Sequence, residues 1–295
     1  MSLKEVARYI GLVMLSILLI LSLNSIIISQ SANPYLYPQI YQQSLSKTNG
    51  YSAITEKIAN DPMTKFIPKE MIEQQINKLI ENVLSYSRSE KEQLDLTISL
   101  DNIQLKKSLE QKIADTPICA NNQPPIPGEV PSCRMAGIAN DVLLSNLISS
   151  KGISLDKPLT IDLKPHLDKD NKLSSLKEFV STFQIIKYLS WIVLFISLII
   201  IMFIAPSNGA RMRWIGLPFL LVGISCFILQ GVLGAAITDK LSDPEFSAGI
   251  QSIASDLAFP FKSNIMFYGI ISGILGLILF SASFFFRKTQ DNNSK

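Results

Sequence analysis

The sequence is poor in the residues that most active sites are built from. It has one histidine and three cysteines in 295 residues, which excludes a Cys/His metal cluster and a disulfide-dense scaffold. Charged residues make up only 17%, and the formal net charge of +3 is too small to imply a nucleic-acid surface. No Gly-x-Ser-x-Gly elbow, phosphate-binding glycine loop or His-Glu-x-x-His pair occurs, so the commonest patterns for acyl transfer, nucleotide binding and zinc hydrolysis are missing. His166 stands alone and cannot build a triad or zinc site by itself. Asp168 and Asp170 resemble the opening of a calcium loop, but Lys172 and Leu173 fall where an oxygen ligand and a glycine belong. No cofactor, metal or catalytic residue is expected.

What the chain has in quantity is apolar length. It is 47% hydrophobic with a mean hydropathy of +0.28, above the usual level of a soluble domain. Four runs free of charge stand out: Ile10 to Ile28, Tyr188 to Ala205, Trp214 to Thr238 and Ile265 to Phe286. Each reaches about 18 residues or more, enough to cross roughly 30 Å of hydrocarbon as a helix. Helices are the natural form, because backbone polar groups must be satisfied internally in lipid. The run of about 19 residues at the N-terminus is longer than a signal-peptide core of about 7–15, and reads as a retained anchor.

Lys4, Arg8, Arg211, Arg213, Arg287, Lys288 and Lys295 all fall on one side when four spans are threaded. The positive-inside rule then predicts a plasma-membrane protein with both termini cytoplasmic. The expected order is a cytoplasmic N-terminus (1–9), a first span (10–29), an extracytoplasmic region (30–187), a second span (188–205), a cytoplasmic loop (206–213), a third span (214–238), an outer loop (239–263), a fourth span (264–286) and a cytoplasmic tail (287–295). Trp191 and Trp214 sit near span ends, as interfacial anchors do.

The fold expected is an α-helical four-span bundle with an inserted extracytoplasmic α/β (α+β) domain. Gln30 to Gly50 reads as an irregular lead-out, and Tyr51 to Asn60 as a short helix. Pro68 to Ser87 carries Ile72, Ile76, Leu79, Ile80, Val83 and Leu84 at helical spacing. Leu94 to Leu100 alternates as a half-buried strand, and Leu159 to Leu163 does the same. Asp101 and Gln104 read as the start of a helix carrying Ile103, Leu105, Leu109 and Ile113 and ending at Pro117. Met135 to Ser149 reads as a further helix, and Ser175 with Glu178 as the capping box of one that continues into the second span as a rigid link.

Leu96–Leu100 and Leu159–Leu163 correspond at an offset of 63 residues, as do Pro68 and Pro131. This predicts an internal helix–strand–helix duplication with the two strands side by side. Asp95, Thr97, Ser99, Thr160 and Asp162 would then form a polar face turned to water or a partner. Cys119 and Cys133 bracket a loop holding Pro124, Pro125, Pro127 and Pro131. On the outer side of a membrane the two cysteines are expected to form a disulfide, and the prolines a stiff recognition loop.

Within the spans no Asp, Glu, Lys, Arg or His occurs, which argues against an ion-coupled carrier. Asn24 and Gln230 are expected to bond between helices, and Cys226 to fill space. Gly269 and Gly273, with Gly223, Gly231 and Gly234, mark close helix packing within one chain or between chains. In the outer loop, Asp243 and Pro244 suit the start of a separate helix with Phe246, Ile250, Ile253 and Leu257 on one stripe. That helix is expected to dock under the outer domain.

The layout of one span, a large outer region and three more spans is similar to that of macrolide-exporter-type permeases and of claudin-like proteins. The likeness is one of topology. The claudin Trp and Cys signature is absent, and the loop 206–213 is short for a helix that couples to an ATPase. The function expected is that of a non-enzymatic membrane protein, in contact with the lipid bilayer, whose outer domain binds a membrane or extracytoplasmic protein as scaffold, assembly factor or sensor input. The alternative is an accessory or permease-like subunit of a transport or export complex, ahead of a membrane enzyme.

Overall fold

The computed structural model describes residues 2–58, 69–100, 102–115, 117, 142, 159–162, 172–241 and 248–292. Of these residues 90% are helical. In chain order they form α1 (Leu3–Ala32), a 3-10 turn (Asn33–Leu36), α2 (Pro38–Lys47), α3 (Gly50–Ile58), α4 (Lys69–Ser87), β1 (Thr97–Leu100), α5 (Asn102–Asp115), β2 (Leu159–Asp162), α6 (Lys172–Ile204), α7 (Asn208–Leu241) and α8 (Ala248–Asn292). Four helices are long and apolar enough to cross a membrane, over Leu3–Leu36, Leu173–Ile204, Asn208–Ile237 and Ala248–Phe286. The chain is a multi-pass membrane protein. It divides into two compact units, Met1–Ser44 with Lys177–Lys295, and Leu45–Leu176.

The first unit is a helical bundle with one core, drawn from Leu12, Leu19 and Ile26 of α1, Leu194 and Ile201 of α6, Val222 and Cys226 of α7 and Ile265 of α8. On α1 the buried positions include Leu12, Ser16, Leu19, Leu23 and Ile26, with Ser22, Ile27, Ser29 and Ser31 widening the buried face toward the end of the helix, and on α6 they include Ser190, Leu194, Ser197 and Ile201. This alternating spacing of four and three is the narrow seam of left-handed helix packing. Phe195 and Phe203 of α6 face outward. At its end the Arg8 guanidinium donates to the Ile204 carbonyl at 2.5 Å, a cation placed where the helix dipole favours one.

The α7–α8 pair is held closest, backbone against backbone. A Cβ added to Gly276 would lie 2.4 Å from the Leu220 nitrogen, and one on Gly216 2.8 Å from the Phe280 nitrogen. One turn-pair further out, a Cβ on Gly223 would lie 2.7 Å from the Gly273 Cα, and one on Gly269 2.6 Å from the Cys226 Cβ. Ser272 fixes the register by donating to the Phe219 carbonyl at 2.9 Å. Between α7 and α1, Ser225 donates to Asn24 Oδ1 at 2.8 Å, and Asn24 Nδ2 donates back to Ile20 in its own helix. Asn24 thus bonds between helices as expected, and Cys226 is a buried free thiol that fills space.

Several sequence expectations are corrected here. The lead-out 30–50 is largely helical, because Pro34 and Pro38 occupy first-turn positions, where a missing N–H is harmless, rather than breaking the chain. Ser175 and Glu178 are exposed residues inside α6, which begins at Lys172, so they do not cap it. The separate outer-loop helix is instead the first part of α8, which runs through Pro260 into the fourth span. Asp243, Pro244 and Phe246 lie outside the described residues.

In the second unit, α4 buries Met71, Ile72, Ile76 and Leu84. It ends in a Schellman turn: Glu90 N–H bonds the Ser85 carbonyl, Ser89 N–H bonds that of Tyr86, and Ser89 takes φ 63°. The strands are only four residues long, and no layered α/β domain is seen among the described residues. They pair antiparallel, Thr97 with Asp162, Ile98 with Ile161, Ser99 with Thr160 and Leu100 with Leu159. Ile98 and Ile161, which correspond at the offset of 63, lie opposite one another in the ladder.

Replacing Gly276 with alanine should destabilise the protein by about 1–3 kcal/mol, because backbone rather than a flexible side chain meets the new methyl. Gly231→Ala, where nothing lies within 4 Å, should stay within about 0.5 kcal/mol. Thermal melting of the two variants in the same detergent distinguishes them, and equal melting temperatures would contradict the contact.

Candidate functional site

In the ladder of the second unit, residues directly opposite one another share a face. Thr97, Ser99 and Thr160 therefore lie on one side, and Ile98 on the other. Two segments 63 residues apart thus assemble one polar face. Thr160 is exposed, while Thr97 and Ser99 are half-buried. Asp95 is outside the strand. Its carboxylate accepts the Thr97 N–H at 3.0 Å, and that bond holds its pKa below the ordinary carboxylate value. Its carbonyl accepts from the buried Asn82 amide at 3.1 Å, and Lys91 donates to the other end of the same amide at 2.6 Å. Asp95 thus shapes the entrance to the strand as well as bordering the face.

Cys119, Cys133, Pro124, Pro125, Pro127, His166 and Asp168 lie outside the described residues, as does the helix expected over 135–149 apart from Val142. Among the glycines singled out, Gly269 and Gly273 meet α7, and Gly234 meets the Lys262 side chain. Gly231 faces open space within this chain. Gly216 and Gly276 were not singled out, yet both meet the facing backbone and Gly276 makes the tightest approach. Their signal was present: Gly216 and Gly223, like Gly269 and Gly276, are spaced by seven residues, two helical turns.

The first unit contains a second feature, built by Tyr35. Pro260 has no N–H for the Asp256 carbonyl and its ring crowds that turn of α8. On the next rung, the Tyr35 hydroxyl accepts from the Phe261 N–H at 3.1 Å and donates to the Leu257 carbonyl. One phenol thereby bonds both polar groups of a single helical rung, a side-chain insertion of the kind that accompanies irregular helices. The Tyr35 ring stacks edge-on against Phe261 with centroids 6.1 Å apart. Tyr41 donates its hydroxyl to the Tyr35 carbonyl at 3.0 Å, and burial raises its pKa. Ser44 donates to the Ile253 carbonyl at 3.4 Å. The apolar stripe of Ile253 and Leu257 thus meets the segment that follows α1.

These contacts border an open groove of about 730 Å³, walled by Ala32, Tyr35, Tyr41, Ile237, Ala258 and Phe261 among others. Its size is that of a small-molecule or lipid-chain site. Both phenol hydroxyls are engaged with backbone, so the walls present carbon. Among the described residues no group of three or more His, Cys, Asp or Glu side chains is placed to hold a metal.

No protein-family model matches the chain, and neither does any characterised protein or solved structure.

Tyr35→Phe removes the hydroxyl while keeping the ring. It should destabilise the protein by about 1–3 kcal/mol, the usual penalty for leaving buried groups without their partner. It should also speed hydrogen exchange at the Phe261 amide, whereas Tyr41→Phe should not. Unchanged exchange at Phe261 in Tyr35→Phe would contradict the bridging role.

Proposed function

We propose that this chain is a non-enzymatic multi-pass protein of the cytoplasmic membrane, with both termini in the cytoplasm, whose region 30–187 lies outside, forms an α+β domain and binds a protein partner. The observation that carries this reading is the polar face of the β1–β2 ladder, where Thr97 and Ser99 stand beside the exposed Thr160. A two-stranded ribbon is marginal by itself, and its polar side leaves backbone edges and hydroxyls for a partner to bond. The basic residues at the ends of α1 and α7 support the orientation. The absence of ionisable residues from the span interiors supports a role in binding rather than ion-coupled transport.

A second reading, an accessory subunit of a transport or export complex, is favoured by α6. Only its narrow seam is buried, and Trp191, Phe195 and Phe203 point outward. A helix of this kind offers a lateral surface to other membrane helices as well as to lipid.

Affinity purification from native membranes after mild cross-linking tests both. A secreted or envelope protein in stoichiometric amount is expected, and Thr160→Lys on the exposed ladder face should lower its recovery roughly tenfold, the effect of about 1.4 kcal/mol. Recovery of an ATPase or channel subunit, unaffected by Thr160→Lys, would move the assignment to the second reading. Absence of any partner would overturn both.

Orientation is tested separately. After reduction of intact cells, a membrane-impermeant maleimide should label Cys119 and Cys133 but not the buried Cys226. Without reduction the pair should resist labelling, because the two are expected to form a disulfide closing a loop of about 15 residues, worth roughly 3 kcal/mol in the chain-entropy model. Labelling of Cys119 and Cys133 only after permeabilisation would reverse the topology.

A further inference from the structure

The groove beside Tyr35 lies beyond the lipid-spanning part of α8, and its position relative to Lys262 identifies an occupant. Counting about 1.5 Å per residue back from Phe286, where the apolar span meets the basic tail, Lys262 lies about 36 Å along the helix. The hydrocarbon layer is about 30 Å thick, and about 40–45 Å with headgroups. Lys262 is therefore at the level of lipid phosphates, and Phe261, Ala258, Leu257 and Ala254 continue outward from there.

Lys262 and the groove follow the same helix stripes. Lys262 is four residues from Ala258 on α8, and Gly234 is three residues from Ile237 on α7, spacings that put each pair on one face. Gly234 has no side chain, and a Cβ there would lie 3.1 Å from the Lys262 ammonium. The missing Cβ makes room for the charge against α7, at the membrane end of the groove. Among the described residues no carboxylate forms an ion pair with Lys262. A half-buried cation next to a carbon-lined groove, with both nearby phenols already bonded to backbone, is complementary to an anionic head attached to an apolar chain.

We infer that the first unit binds one phosphate-bearing membrane lipid, its phosphate against the Lys262 ammonium and one acyl chain turned outward along the groove between α7, α8 and Tyr35. The ammonium supplies a charge-assisted contact to phosphate. The groove supplies a dry wall for a chain that would otherwise stay in the bilayer. The site selects by headgroup charge, and the chain alone binds weakly.

The test uses the full-length protein, delipidated in mild detergent and examined by native mass spectrometry with two probes of identical chains, phosphatidylglycerol and diacylglycerol. One phosphatidylglycerol per chain is expected, retained at least tenfold better than diacylglycerol. Lys262→Gln should abolish that preference while leaving the melting temperature unchanged. Ala258→Phe, which fills the groove, should lower retention of both lipids, and Ala254→Phe provides a second obstruction should the first fail to fold. Equal retention of the two lipids by the unmodified protein would overturn the inference, as would obstructed variants that bind normally. Recovery from native membranes of a protein-borne acyl chain in the groove, without phospholipid, would equally overturn it.

Discussion

Helices in lipid gain little from burying apolar side chains against one another, since lipid tails already provide that environment. The contact that can order such a bundle is close backbone approach, and here it is concentrated between α7 and α8. Gly216 against Gly276 and Gly223 against Gly269 and Gly273 bring the two backbones together at two levels, two turns apart. Only at that separation can Ser272 of α8 reach the Phe219 carbonyl of α7. The same contact leaves the third and fourth spans as a pair against which α1 and α6 pack with ordinary leucine and isoleucine seams. A bulky residue at any of these glycines changes the distance on which the rest of the bundle's register depends.

Two prolines complicate this pair, and α1 with the segment after it meets both. Pro218 deprives the Trp214 carbonyl of its intrahelical donor, and the Ser16 hydroxyl of α1 lies 3.5 Å away while also bonding Leu12 in its own helix at 2.9 Å. Pro260 disturbs α8 one membrane thickness away, and Tyr35 bonds both groups of the adjoining rung. Interior prolines survive in membrane helices where neighbouring side chains satisfy the backbone groups they disturb. The first helix is therefore more than an anchor. It and the turn that follows it carry the hydroxyls that meet both proline-containing helices.

The spans were legible because a run of about 20 uncharged apolar residues has few alternatives. Asn24 was legible as a polar residue with nowhere to go but another helix. The long α8 was not. The stripe of Ile253 and Leu257 and the charge-free run Ile265 to Phe286 read as two elements, and the Tyr35 hydroxyl, distant in sequence, bonds the rung beside Pro260 between them. The segment 30–50 reads as irregular because it is polar and aromatic, while Pro34 and Pro38 each begin a helical turn. Gly216 and Gly276 were missed because a small-xxx-small search looks within one helix. The relevant spacing was seven residues, repeated on two antiparallel helices. The ladder was legible as two alternating strands, though their length was overestimated, since residues 94–96 leave the strand where Asn82 and Thr97 hold Asp95.

The continuity of α8 sets what the Pro260 end of the bundle can do. A break at Pro260 would let the apolar stripe of Ile253 and Leu257 fold down onto the membrane, as an amphipathic helix does. With α8 continuous through Pro260, the stripe instead meets the segment after α1. Alanines at 254 and 258 are too small to fill the angle between α7, α8 and the two tyrosines, which leaves the groove. The groove is thus a by-product of mending a proline. The same tyrosine that keeps the helix whole spends its hydroxyl doing so and turns an apolar ring to the cavity, while the cation one turn inward stays without a carboxylate among the described residues. Chemistry at this end of the molecule is set by how backbone polar groups are satisfied, and what remains is a surface of carbon bordered by a single charge.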